Sequence, residues 1–321
     1  LIIAPTPQLA VAVILLLSAF FLVSRKILNS WQGIFVFGLL LRLSLLLLPN
    51  YLSSDLYRYL WEGHLLRDGL SPYLLAPDNP ALLSLHTDYW DKIDHKHLTA
   101  IYPPFAQLLF VLFGISEWSW RLFLIVLECG SFYLLAQITQ ACKAPERSLA
   151  LYWLLPLPII EIAWSGHLEG ILVFLSLLTW LVIIRCERRP LIAAILSAAT
   201  LSLAVLTKYS ALLLAPALAI YFFRQRITLA LGFIVALLAC LALGTLPFID
   251  EQLSLFSSLF VYLEHWRFND SLLHLAGYLG SVDWQDSLSI SPVKGALTVG
   301  WFAFMACALI RIKSFPAVAV I

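Results

Sequence analysis

The stretch from Ile227 to Leu246 reads ITLALGFIVALLACLALGTL and carries no charge. A helix of that length rises about 30 Å, the thickness of a bilayer's hydrocarbon core. Its apolar residues are continuous and do not alternate with polar ones, which excludes a strand of a closed β-barrel. Runs of the same kind occur at Leu9 to Val23, Gly33 to Leu48 and Leu191 to Leu206. Across all 321 residues, 61% are hydrophobic and 12% charged, where a soluble domain carries roughly 25% charged residues. Lipid is therefore the expected solvent for most of the chain.

Hydropathy places spans near 8–24, 31–49, 101–116, 119–141, 147–164, 168–184, 191–206, 208–223, 227–247 and 292–312. The expectation is an all-α polytopic membrane protein of roughly nine to eleven transmembrane helices, forming one domain over 1–321. Two stretches, 50–98 and 248–290, are too polar to be embedded, and each is expected to bear short interfacial helices. The first contains Asp55, Glu62, Asp68, Asp78, Asp88, Asp91 and Asp94; the second contains Asp250, Glu251, Glu264, Asp270, Asp283 and Asp286. Lys and Arg instead collect in short connections: Arg25-Lys26, Lys143 to Arg147, Arg185 to Arg189, Arg224 to Arg226, and Arg311 to Lys313. By the positive-inside rule those connections are cytoplasmic, and both acidic loops are extracytoplasmic. The expected location is a cell membrane.

This sidedness requires an odd number of crossings between the first acidic loop and Lys143. The segment 101–116 is therefore read as a re-entrant or short helix, since it opens on Pro103-Pro104 and rises only about 23 Å. The five cysteines lie within or beside apolar runs and read as small buried hydrophobes, with no disulfide framework in a polar loop. A net charge of +1 gives no basic surface for nucleic acid. The chain begins at Leu1 and ends in apolar sequence at Ile321, as a trimmed or partial protein would.

The first acidic loop opens Ser54-Asp55-Leu56-Tyr57-Arg58-Tyr59-Leu60-Trp61-Glu62-Gly63. Asp55 follows the second span almost at once, so its carboxylate is held at the membrane surface, where a general base can meet lipid-borne and water-borne reactants. Arg58, Lys208 and Arg267 are the cations near that boundary for an anionic leaving group. The plain alternative for the aromatics is that Tyr and Trp collect at membrane interfaces whatever the function.

These residues resemble a family. The Asp55 to Gly63 stretch, Gly69-Leu70-Ser71-Pro72-Tyr73 with Ala76-Pro77, and Tyr102-Pro103-Pro104 with Gln107 are similar to the first extracytoplasmic loop of the GT-C superfamily of polyprenyl-phosphate-sugar-dependent glycosyltransferases, its bacterial mannosyltransferase-like branch in particular. Gly166-His167-Leu168-Glu169-Gly170, Thr207-Lys208 and Trp266-Arg267-Phe268-Asn269 look like further patches of that branch, so the likeness runs from about 33 to 275. The resemblance implies an inverting transfer of a hexose, mannose by branch, from a polyprenyl-phosphate donor to a lipid, glycan or protein acceptor. It implies Asp55 as base. It also implies substrate contacts from Arg58, Tyr59, Glu62, Tyr73, Tyr102, His167, Glu169, Lys208, Trp266, Arg267 and Asn269. Glu62 departs from the family's Trp-Asp-Gly pattern by one methylene, and the long soluble C-terminal domain of some members does not occur in these residues.

No cofactor is expected, the lipid-linked sugar being a substrate. His86, Asp88, Asp91, Asp94, His95 and His97 are an inventory of possible ligands for a divalent metal, but their spacing fits no template and acidic loops are usually just solvated. Arg42, Glu128 and Glu161 sit deeper in their segments, where a structural ion pair such as Arg42 with Glu128 is the expected arrangement. His167 and Glu169 flank a glycine at a helix boundary, where interfacial solvation competes with a role on the donor. A reading from another class is a secondary transporter whose intramembrane Arg42, Glu128, Glu161, His167 and Glu169 line a path. The related halves that such transporters commonly show are not evident in the sequence. A non-catalytic scaffold would have lost the loop acid, and Asp55 is present.

Overall fold

The computed structural model describes residues 7–23, 30–50, 52–250 and 253–265, with isolated positions at 278, 295–296 and 299–300. Among the described residues the secondary structure is entirely helical: α1 (Pro7–Val23), α2 (Trp31–Leu46), α3 (Asp55–Arg67), α4 (Pro104–Phe113), α5 (Glu117–Ala141), α6 (Leu149–Trp153), α7 (Pro156–Pro158), a π-helical turn over Ile159–Trp164, α8 (Glu169–Arg185), α9 (Pro190–Val205), α10 (Ala215–Gln225), α11 (Ile227–Thr245) and α12 (Ser257–His265). Local sequence sets the ends. The Ser30 hydroxyl accepts from Gly33 N at 3.2 Å to cap α2, and Ser116 with Ser119 forms a reciprocal capping box at the start of α5. Proline opens α4, α7 and α9, where its missing N–H costs nothing.

Among the described residues, Glu117–Ala141 and Ile227–Phe248 are each long and apolar enough to cross a membrane. A third candidate is the pair Pro156–Trp164 and Glu169–Arg185, bent by 118° at its break. The other expected spans are shorter or interrupted, for reasons in the chain. The 147–164 run is divided by Pro156 and Pro158 into α6, α7 and the π turn; the 208–223 run starts as a 3-10 turn, Tyr209–Leu214, before α10. The segment 101–116 contains only the ten-residue α4, which rises about 15 Å, half of a hydrocarbon core. The expected span at 292–312 lies outside the described residues apart from 295–296 and 299–300.

The largest buried cluster joins α3, α4, α5, α8, α9, α10 and α11. At its centre α9 buries Ala193, Ala194, Ser197, Ala198, Leu201, Ser202 and Ala204, and these small side chains let α8 and α11 approach on either side. Outward faces carry exposed apolar side chains such as Val126, Leu231, Val235, Leu238 and Leu243, as a lipid-facing surface would. Cys129, Cys142, Cys186 and Cys240 are free thiols.

Two arginines fix the elements that frame the first loop. Arg121, buried on α5, donates to Leu48 O at 2.9 Å, to Ala163 O at 3.0 Å and to Leu45 O, tying off the C-terminal carbonyls of α2 and of the π turn. Arg67 does the same for α4, through Val111 O at 2.9 Å and through Phe110 O and Gly114 O at 3.3 Å. The crossing of α3 over α4 depends on Gly63, where a Cβ would lie 2.4 Å from Phe110 O.

As expected from sequence, Arg42 and Glu128 form an ion pair. Nε and Oε2 are 2.7 Å apart, with neither side chain exposed. Arg42 Nη1 also donates to Trp153 O at 2.8 Å, its guanidinium lies 3.7 Å from the Trp153 ring centroid, and the Tyr152 hydroxyl donates to Glu128 at 3.1 Å.

Candidate active site

Three interruptions in helical structure meet at one end of the bundle: the start of α3, the break between the π turn and α8, and the break after α9. Asn50 organises the first. Its Oδ1 accepts from the N–H groups of Leu52 and Ser53, and its Nδ2 donates to Ser53 O at 2.8 Å and Ser165 O at 3.4 Å, joining the first break to the second. Asp55 then occupies the first turn of α3. At the second break Gly166 has φ +76, and its carbonyl accepts from Trp120 Nε1 at 2.7 Å. An added Cβ there would meet Leu56 Cδ1 at 3.0 Å, so both backbone conformation and space demand glycine.

His167 connects the two. Its Nδ1 is 2.6 Å from Glu161 Oε2, its Nε2 is 2.7 Å from Ser53 Oγ, and Asp55 Oδ2 lies 3.8 Å from Nε2. Ser53 Oγ in turn accepts from Asp55 N at 3.2 Å. At the third break Lys208 pairs with Glu169, the first residue of α8. The unpaired carbonyl of Leu206 accepts from Phe105 N at 2.9 Å and Ala106 N at 3.1 Å, which seats α4 on the same break.

The Asp55 side chain is 53% exposed, yet the surrounding protein still withdraws water from it. Desolvation there pushes its carboxyl above the usual carboxylate range, against the pull of His167 and Lys208 and with smaller upward pushes from Glu169 and Asp94. Lys208 and Glu169 are thus close enough to Asp55 for their charges to act on it. From the second polar stretch, Tyr262 on α12 feels Lys208, Asp55 and Glu169. Thr99 Oγ1 lies 2.7 Å from Ser258 Oγ, and Leu255 is buried with Tyr73 and Ala100, so α12 and the turn before it dock on the first loop.

The remaining sequence-predicted residues divide by burial. Arg58 donates from Nε to Glu62 at 2.7 Å and through its other nitrogens to Leu98 O and His95 O, while Gln107 Nε2 donates to the other Glu62 oxygen at 2.6 Å. Glu62 is 1% exposed, and burial raises its carboxyl above the ordinary range despite Arg58. Tyr59 stacks on Phe110 with centroids 4.7 Å apart and meets Tyr102 edge-on at 5.0 Å. The buried Tyr73 hydroxyl donates to Tyr102 O at 2.7 Å. Desolvation pushes all three phenols up, so they stay neutral donors at physiological pH. Arg58, Tyr59, Glu62, Tyr73 and Tyr102 are thus joined, through Gln107, in one packed and hydrogen-bonded group. Trp266, Arg267 and Asn269 lie outside the described residues.

Among the described residues, no three His, Cys, Asp or Glu side chains converge as a metal would require. The ligand inventory of the first loop is dispersed: His86 stacks on Trp90 at 4.0 Å, the His95 and His97 rings are 6.2 Å apart, and Asp94 accepts from Ser54.

Sequence reasoning gave Glu161 an internal ion pair, which it makes with His167, but did not name that partner and did not single out Ser53 or Tyr262. The signal for Glu161 was available. An acid six residues before His167, in an apolar run broken by two prolines and a glycine, lines a helix break more readily than a regular helix, and intramembrane acids usually face a partner.

No curated protein sequence and no solved structure matches the chain. Residues 3–224 match the family model described as alpha-(1->6)-mannopyranosyltransferase, N-terminal domain. That match covers α1 to α10 with Asp55, His167, Glu169 and Lys208, and it decides between the two function classes in favour of the enzyme. The apolar helices associate the chain with a membrane, and the chain belongs to the alpha-(1->6)-mannopyranosyltransferase family, as a glycosyltransferase acting on mannose.

Proposed function

We propose that the protein is an inverting GT-C-type mannosyltransferase that uses polyprenyl-phosphate mannose at the extracytoplasmic surface of a bacterial plasma membrane, working as one multi-pass domain with both acidic loops outside. The observation that carries this reading is the convergence of a half-exposed, desolvated Asp55 with Lys208 and His167 at three helix breaks.

In this reading Asp55 takes the proton of an acceptor hydroxyl as that oxygen bonds to the anomeric carbon of mannose. The bond from the anomeric carbon to the phosphate oxygen breaks on the opposite face, and the electron pair leaves with polyprenyl phosphate. Inversion of a β-linked donor gives the α product in the family's description, whose 1->6 linkage makes the acceptor hydroxyl a primary one. A carboxylate with a raised pKa is a better proton acceptor near neutral pH than an ordinary aspartate. His167, held by Glu161 and Ser53, faces Asp55 through Nε2. Lys208 receives the phosphate charge, exchanging Glu169 for the leaving group. Arg58 and Glu62 set the pitch of α3. Trp266, Arg267 and Asn269 are assigned to substrate contact. The acceptor is a glycan, lipid-borne or protein-borne.

The test gives purified protein polyprenyl-phosphate mannose, polyprenyl-phosphate glucose and a nucleotide-linked mannose, and follows release of polyprenyl phosphate or nucleotide with a mannose-terminated acceptor. Turnover of the first donor alone is expected. Turnover of the nucleotide-linked sugar instead would overturn the donor assignment.

A further inference from the structure

At the opposite end of α8 from Glu169, about 25 Å away by helix length, lies a cavity of about 710 Å³ between α2, α5, α6 and α8. That volume is in the range of ligand-sized clefts, roughly 300–1,000 Å³. Its lining is divided along the helix axes. Toward the C-terminal end of α5 it carries Gln137, Gln140, Lys143 and Arg185, with Trp31 at the start of the antiparallel α2 and Glu146 as the one carboxylate of the lining; deeper along α5 it carries Phe35, Phe132 and Tyr133. Neither cation forms an ion pair among the described residues; Arg185 instead donates from Nη2 to Gln137 Oε1 at 2.7 Å. Tyr133 is 65% exposed on α5, so the apolar part opens on the outer face of that membrane-crossing helix.

From this division we infer that the cavity is a binding site for an anionic phospholipid, with its phosphate at Lys143 and Arg185 and an acyl chain along the aromatic part. A water-soluble anion would leave the aromatic part unfilled. A neutral lipid would bring no charge to a lining that carries two cations and one carboxylate, Glu146. Basic clefts between helices at the Lys- and Arg-rich membrane face are the setting in which anionic headgroups are held. The inference rests on the reading of α5 as membrane-crossing and is independent of the chemistry assigned to Asp55.

The test compares wild-type protein, K143Q/R185Q, and R188Q/R226Q, whose charges leave the same end of the bundle without lining the cavity. Each is delipidated in neutral detergent and titrated with phosphatidylglycerol or phosphatidylcholine, and retained lipid is counted by native mass spectrometry. Wild type and R188Q/R226Q are expected to hold phosphatidylglycerol in preference to phosphatidylcholine, with K143Q/R185Q weaker by about 25-fold. Q140K, which adds a cation to the rim, is expected to tighten retention. Equal retention by wild type and K143Q/R185Q, or equal weakening by R188Q/R226Q, overturns the assignment.

Discussion

Two ion pairs in this molecule use the same chemistry for different ends. Arg42 and Glu128 meet with neither side chain exposed, held by Trp153 and Tyr152. Lys208 and Glu169 meet at a helix break with 41% and 39% of their side chains exposed. In the first, water is excluded and every extra donor has a protein partner, so the pair can only hold α2 against α5. In the second, solvent screening makes the pair worth little, about 0–1 kcal/mol, so in the proposed mechanism a phosphate displaces Glu169 at small cost. The difference is one of surroundings: a continuous helix seals a charge, whereas a broken one presents it.

That comparison breaks first at the sealed pair. Arg42→Met strands the Glu128 carboxylate and is expected to destabilise the protein by about 3–5 kcal/mol, read as a lowered denaturation midpoint in detergent. The double variant R42M/E128L should recover most of the loss, and failure to recover would mean that Arg42 acts mainly through Trp153. Next is the glycine that shapes the open site. Gly166→Ala forces a side chain into the φ +76 conformation and should cost about 1–3 kcal/mol, with turnover falling because His167 is displaced; unaltered turnover would separate the break's geometry from catalysis.

Lys208→Met should scarcely move the denaturation midpoint while raising the donor KM by about tenfold or more. An unchanged KM would remove Lys208 from the phosphate. The smallest effect is on pH dependence. Asp55 must be ionised to accept a proton, so kcat/KM falls as pH drops through its pKa, and desolvation sets that acidic limb above the range of an ordinary aspartate. Because Lys208 pulls the Asp55 pKa down, Lys208→Met should move the limb to higher pH. A move to lower pH would contradict the proximity of the two groups.

Much of this was readable in the chain, and the failures have a common cause. Hydropathy located α5 and α11 because those runs contain no internal proline, and it flagged 101–116 as too short. It read 147–164 as one span because an average over apolar residues is blind to Pro156 and Pro158, each of which removes a backbone donor. The π turn that results is what brings Glu161 to His167. In a regular helix residues six apart are not neighbours, so the pairing had no periodicity signal. Asp55, His167, Glu169 and Lys208 were legible as charges beside helix ends. The burial of Tyr59, Glu62 and Tyr73 was not, because a motif groups residues along the chain and does not say which side chains the fold encloses.

The central claim is that Asp55 is the base. The direct measurement is turnover of polyprenyl-phosphate mannose by Asp55→Asn protein of unaltered denaturation midpoint. A fall in kcat of about 10²–10⁴-fold with little change in donor KM is expected, and turnover equal to wild type would contradict it.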